Sequence, residues 1–201
     1  LIAIRRRSFV RPPGVRPYRR LFVVSVEGIK TEPDYFNILK VFQPKVEIRI
    51  LAEKFHVAPD KVLQRVQQFI RNNGLRSTDE AWVVVDKDQW SDEQLEKVFK
   101  WSNLKLNYGL ALSNPKFEFW LLLHFEDGKG IATSQDCSTQ LKRYLPHYDK
   151  RVDTGKISLE QVREAIRRAK VKDKPPCSDW PRSAGGTTVY RLIQKILEEK
   201  S

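Results

Sequence analysis

The sequence has no methionine, two cysteines, three histidines, and no apolar run approaching the ~20 residues that a membrane-spanning helix needs. Each shortage removes a class of protein. Cys137 and Cys177 stand far from each other and from His56, His124 and His147, so spacing offers neither a disulfide framework nor a zinc module. A reducing, cytoplasmic setting is the expectation for such a chain, and no membrane partner is expected. With Leu1 as its first residue and no methionine, the chain supports no conclusion about what precedes it.

Acid is absent from one segment. Residues 1–20 hold Arg5, Arg6, Arg7, Arg11, Arg16, Arg19 and Arg20 but no Asp or Glu, and so supply seven of the twelve net positive charges. Pro12, Pro13, Gly14 and Pro17 interrupt this arm, which lacks the apolar surface to order itself. It reads either as a solubilising tail or as a clamp on phosphates, for which the arginine fork is well shaped. The whole chain, at +12 and pI 9.8, favours a polyanionic partner. Nucleic acid is therefore the expected partner, with Arg5, Arg6, Arg7 and Arg11 among its contacts. Arg163 and Arg167, on a basic helix surface with Arg168 and Lys170, either follow a phosphate backbone or form a solvated face.

A chain of 201 residues, 40% of them hydrophobic, can bury one substantial core. From Leu21 the text alternates. Leu21–Val26 reads as a buried strand ending at Glu27-Gly28, and Thr31-Glu32-Pro33 opens a helix to about Phe42. Val46–Leu51 reads as a second strand, and residues 59–73 place Val62, Leu63, Val66, Phe69 and Ile70 at helical spacing before Gly74. Ala81–Val85 is a third strand running into Asp86-Lys87-Asp88. Ser91 caps a helix to about Asn103, Leu106–Leu112 is a fourth strand, and Ser113-Asn114-Pro115 opens a helix to about Phe125. This order predicts the α/β class: a parallel sheet of about four strands flanked by helices. Beyond Gly128 only helices are expected, at about 138–144, 158–170 (with a Ser158/Gln161 capping box) and 187–199, joined by a long loop over 171–186. Three units follow: an arm over 1–20, a core over 21–127 and a helical extension over 128–201 packed on it.

In a parallel sheet the strand ends share one edge, and ligand crevices form there. That edge collects Glu27, Asp86 and Asp88, with Glu118 from the next helix; Glu32 is either a fifth member or a helix cap. Clustered carboxylates repel one another unless a cation intervenes, and oxygen ligands without histidine or thiol suit Mg²⁺ or Mn²⁺. Lys30 and Lys116, each beside a helix start, are candidate phosphate contacts. His124 reads as a core histidine, and Trp180 as the one tryptophan placed to stack on a base.

Three ordered pieces carry a resemblance: Glu27-Gly28-Ile29-Lys30-Thr31-Glu32 with Tyr35-Phe36, Asp86-Lys87-Asp88, and Ser113-Asn114-Pro115-Lys116-Phe117-Glu118 with Trp120 through Phe125. Together with Gly186-Thr187-Thr188-Val189-Tyr190 they resemble the RloB family over roughly residues 20–200. RloB proteins are similar to Toprim-domain nucleases of the overcoming-lysogenization-defect type and lie beside bacterial restriction and anti-phage loci. The resemblance implies a Toprim-like core and a prokaryotic, defence-associated nuclease with a partner protein in that system. It also implies Glu27 as general acid or base, Asp86 and Asp88 as the metal pair, and Glu32 and Glu118 as holders of a second ion. These 201 residues contain no ATPase domain and no identifiable nucleophilic tyrosine, which favours the expectation of phosphodiester hydrolysis over strand passage. A non-catalytic nucleic-acid-binding subunit is the alternative; for nucleotidyl transfer no nucleotide-binding element is visible. DNA and RNA are not distinguished, and neither the trigger nor the oligomeric state is legible.

Overall fold

A computed structural model describes residues 19–53, 59–149 and 151–198. The arm residues Arg5, Arg6, Arg7 and Arg11, with their expected phosphate contacts, lie outside the described residues. In chain order the elements are β1 (Leu21–Val26), α1 (Thr31–Phe42), β2 (Glu47–Leu51), α2 (Pro59–Asn73), β3 (Glu80–Asp86), α3 (Asp92–Ser102) and β4 (Tyr108–Asn114). They continue with α4 (Phe117–Leu122), α5 (Ser134–Tyr144), α6 (Leu159–Lys172), β5 (Gly186–Thr187) and α7 (Val189–Leu197).

The sheet has the order β2-β1-β3-β4-β5, with β1 to β4 mutually parallel and β5 antiparallel to β4. The expected parallel α/β sheet is therefore present in a Toprim-like arrangement, with five strands instead of four. Alternation along each strand sorts the side chains into two cores. Phe22, Val24, Val26, Trp82, Val84 and Ala111 face α1 and α4 to α7, whereas Val23, Ala81, Val83, Val85, Leu110 and Leu112 face α2 and α3. Every residue of α4 is buried, which explains why its sequence is apolar nearly all round. The first chain crossover leaves β1 toward β2 and the next returns to its other side to form β3. The crevice at the carboxyl ends of β1 and β3 is thus the switch point of the sheet.

The helix signals in the sequence hold where capping is local. Ser91/Gln94, Thr133/Asp136 and Ser158/Gln161 each form a reciprocal capping box. The box at Thr133 starts α5 at Ser134, four residues before the expected Ser138.

The largest correction concerns β4 and the region beyond Gly128. Ser113 and Asn114 do not open a helix; they extend β4, because Gly186–Thr187 arrives as a strand beside them. The Ser113 and Thr187 hydroxyls lie 2.9 Å apart, and the Asn114 side-chain amide donates to the Pro181 carbonyl at 3.0 Å. Drawing Gly186–Thr187 into the sheet delays the last helix to Val189, and α4 begins only at Phe117. Trp180 is 1% exposed and packs edge-on against Phe99, so it is a core residue and not a base-stacking platform.

At the opposite sheet edge Glu80, 3% exposed, receives Lys195 Nζ at 3.0 Å, Trp82 Nε1 at 2.7 Å and the Arg20 guanidinium. This buried carboxylate ties β3 to α7 and to the residue preceding β1. Gly109 lies under Trp82, where an added Cβ would stand 2.5 Å from the indole, so the strand pairing of Trp82 with Gly109 requires a residue without a side chain.

Candidate active site

β1 ends at Val26, and the chain turns through Glu27-Gly28 before α1 begins at Thr31. Glu32, in the first turn of α1, folds its carboxylate back over that turn and accepts the Gly28 N–H at 2.9 Å. An added Cβ on Gly28 would lie 1.8 Å from a Glu32 oxygen, so this close approach is open only to glycine. Glu32 thus secures the loop backbone and lines the cleft at once; the two readings of its role are not exclusive.

Glu27 Oε2 accepts from the Trp90 indole N–H at 2.7 Å and from the Asp86 backbone N–H at 3.3 Å, which fixes the carboxylate between the ends of β1 and β3. Asp86 is the last residue of β3, and its Oδ1 accepts the Phe117 N–H at 2.8 Å, capping the start of α4. Asp88 lies past the end of β3, so strand alternation does not place it. It lies in a single tight turn, Lys87–Gln89, anchored by its own N–H to the Pro115 carbonyl at 3.1 Å, and Ser134 donates to its carboxylate. Glu118, 3% exposed, accepts from the Tyr148 hydroxyl at 3.1 Å, and that hydroxyl also lies 2.9 Å from Thr31 Oγ1.

These pieces line one cleft of about 490 Å³, bounded by Glu27, Gly28, Ile29, Lys30, Thr31, Glu32, Asp86, Asp88, Lys116 and Glu118. All five candidate carboxylates and both candidate lysines are therefore on its wall. Lys116 is steadied by its Nζ donating to Ser138 Oγ at 2.7 Å, and Lys30 is exposed at the rim. Lys87, inside the same motif, turns away to Asp92 at 2.9 Å.

The cleft concentrates negative charge where water is scarce. Burial lifts the Glu32 carboxyl to about 7, with the charges of Glu118 and Glu27 adding to the rise. Burial likewise pushes Asp86 well above the ordinary carboxylate range, reinforced by Glu32, Glu27, Glu118 and Asp88. Among the described residues no group of three His, Cys, Asp or Glu side chains forms a ready ligand set for an ion. In this arrangement Glu27, Glu32 and Asp86 instead direct oxygens to N–H donors. The donor chemistry nevertheless fits Mg²⁺ or Mn²⁺: all oxygen, rich in carboxylates, and buried enough that a cation would relieve the mutual repulsion. Mg²⁺ in particular needs only one or two protein carboxylates, completing its shell with water and substrate phosphate.

Arg163 and Arg167 are not brought to this cleft. They lie on α6 along a separate groove with His124, Glu160, Gln161, Glu164 and Arg168. Arg167 is held by Glu164 at 2.6 Å, and Arg168 reaches the Leu123 carbonyl at 2.8 Å. His124 is 2% exposed, with its Nε2 3.2 Å from the Tyr35 hydroxyl, and burial lowers its pKa to about 4; it is the core histidine its apolar surroundings suggested.

Trp90, Ser134 and Tyr148 were not read from sequence as part of the site. Trp90 was within reach, being four residues past Asp86. Ser134 and Tyr148 come from beyond Gly128, and no local spacing connects them to Asp88 or Glu118.

A family model described as RloB-like protein matches residues 22–196. The chain belongs to the RloB-like family. The match contains every cleft carboxylate, both cleft lysines, and Ser134 and Tyr148, which bond to two of those carboxylates. The arm arginines precede it. No curated protein and no solved structure matches the chain. No described helix is long and apolar enough to cross a membrane.

Proposed function

We propose that this RloB-like protein is a divalent-metal-dependent nuclease that hydrolyses phosphodiester bonds of DNA or RNA, acting in prokaryotic anti-phage defence. One observation carries the reading: carboxylates from the ends of β1 and β3 and the starts of α1 and α4 meet in a single cleft at the sheet's switch point, with Lys30 and Lys116 on its wall. A cleft of about 490 Å³ suits a nucleotide-sized segment of a polymer.

Asp86 and Asp88, with Glu27, are the residues that would hold one ion, and Glu32 and Glu118 those that would hold a second. A bound divalent ion lowers the pKa of water and neutralises charge on the phosphate being attacked. Glu27, kept in place by the Trp90 N–H, serves as general acid or base at the reacting oxygen. Lys30 and Lys116 bind phosphate oxygens as point charges and orient the backbone of the substrate. Tyr148 and Thr31 position Glu118.

The test is to incubate the full chain with labelled single-stranded DNA, double-stranded DNA and RNA, across Mg²⁺, Mn²⁺ and chelator. Metal-dependent cleavage is expected, with Asp86→Ala losing at least about 10²-fold in rate while salt-dependent binding persists. Unchanged cleavage in Asp86→Ala removes the site assignment. A second reading, a non-catalytic nucleic-acid-binding subunit of a defence complex, is favoured by the net charge of +12, which supports binding of a polyanion without requiring turnover. Its signature is intact salt-dependent binding with no turnover under any ion.

A further inference from the structure

β2 is the terminal strand of the sheet, and among the described residues nothing pairs with its outer edge. The Glu47 N–H donates inward to the Arg20 carbonyl at 2.9 Å. By the alternation of a ladder, the backbone groups of Glu47, Arg49 and Leu51 face β1, and those of Ile48 and Ile50 face outward. An open edge of this kind is a template for another strand. Pro44 marks where pairing must stop, since it has no N–H to give.

The side chains along this edge have a symmetry of their own. Glu47 and Arg49 flank Ile48 on the same face of the strand, both about half exposed, and pair with each other at 3.0 Å. A two-fold axis through Ile48 would join two β2 strands antiparallel, with Ile48 exchanging both backbone hydrogen bonds with its copy and Ile50 donating to the copy's Val46 carbonyl. The same axis sets Glu47 opposite Arg49 of the copy, and Arg49 opposite Glu47, in the non-hydrogen-bonded positions where side chains approach closest. Neighbouring axes fail. One through Arg49 or Glu47 opposes like charges and uses backbone groups already turned toward β1, and one through Ile50 sets Arg49 against Leu51. A shallow groove of about 700 Å³ beside the edge, lined by Arg19, Pro33, Asn37 and Lys40 among others, leaves room for the incoming strand.

We propose that the β2 edge is a self-association surface whose occupant is β2 of a second copy of this chain, joined about Ile48 into one continuous sheet. Self-complementary charge and backbone pattern in a single register are what a two-fold interface requires of one surface patch.

Sedimentation equilibrium on the full chain tests this, with circular dichroism to establish that each variant is folded. Both substituted positions are half exposed, so folding should survive. The wild type is expected to dimerise reversibly, and Arg49→Glu or Glu47→Arg alone to weaken the dimer by at least about tenfold, equivalent to about 1.4 kcal/mol. The double exchange Glu47→Arg with Arg49→Glu restores the dimer, and an equimolar mixture of the two single variants forms a heterodimer. A wild type that stays monomeric overturns the proposal, including the case in which deleting residues 1–18 then permits dimerisation, which would assign the edge to the chain's own arm. So does a dimer indifferent to both exchanges, or single variants that are folded but do not pair when mixed.

Discussion

Glu32→Gln should make the metal-free protein more stable at pH 8 than the wild type, by about 3 kcal/mol. Glu32 is 4% exposed, and burial together with the charges of Glu118 and Glu27 raises its carboxyl from 4.5 to about 7. At ~1.36 kcal/mol for each tenfold change in proton affinity, that rise gives the stated figure. Between these two values the folded state holds a proton that the unfolded state has lost, so stability falls as pH rises. The contribution is fully present below pH 4.5 and gone once the pH has passed about 7. Glutamine keeps an oxygen for the Gly28 N–H and carries no charge, so the variant lacks this loss; Asp86, one of whose burdens is the Glu32 charge, is relieved as well. His124 slopes the other way between about pH 4 and 6.5, but it is common to both proteins and cancels in the difference. The assay is urea denaturation, or thermal melting, of wild type and variant in chelator from pH 4 to 8. For a domain of this size ~2–4 °C accompanies each kcal/mol, so the melting temperatures should coincide near pH 4 and separate by about 6–12 °C at pH 8. Added Mg²⁺ should narrow the gap by stabilising the wild type. Parallel curves, with the same difference at pH 4 and pH 8, would refute the reasoning that a charged Glu32 destabilises the cleft when no cation is supplied.

Four further outcomes follow from named contacts. Gly28→Ala must displace the Glu32 carboxylate, since the new Cβ would lie 1.8 Å from it; a loss of about 1–3 kcal/mol is expected in denaturation. Glu80→Ala leaves the buried Trp82 N–H without its acceptor and removes a carboxylate from the partly exposed Lys195 and Arg20, and should cost about 1–3 kcal/mol, whereas Arg167→Ala, breaking an exposed pair with Glu164, should cost under about 1 kcal/mol. His124→Gln should flatten the acid limb of the stability curve. Burial lowers this histidine to about 4, so its neutral form contributes stability above pH 6.5 that is lost as pH falls through 4.

Much of the fold was legible because its causes are local. Valine-rich runs gave β1 and β3, α1 and α2 were bounded by Thr31 and Gly74, and the capping serines at 91 and 158 marked the starts of α3 and α6. The strand order then explains why Glu27 and Asp86 meet, since adjacent parallel strands bring their carboxyl ends to one edge, whereas Asp88 is placed by the turn Lys87–Gln89. The family was legible in the same residues. Other features had no local cause. β5 is two residues long and exists only because Ser113 and Asn114 offer it a partner more than 70 positions away. Trp180 sits in a loop of prolines and glycines, a composition that suggests exposure, yet it fills the core beside Phe99.

The sequence by itself determined that acidic side chains stand at the ends of apolar strands in a basic chain, because strand and helix periodicities are short-range properties. Only the tertiary structure decided what those acids experience. Trp90, Phe117, Ser134 and Tyr148 supply the donors that hold four of the five in place, and burial beside one another moves Glu32 and Asp86 far from their ordinary ionisation. Desolvation and charge proximity depend on distances between segments up to 117 residues apart, as for Thr31 and Tyr148, and no spacing along the chain encodes them.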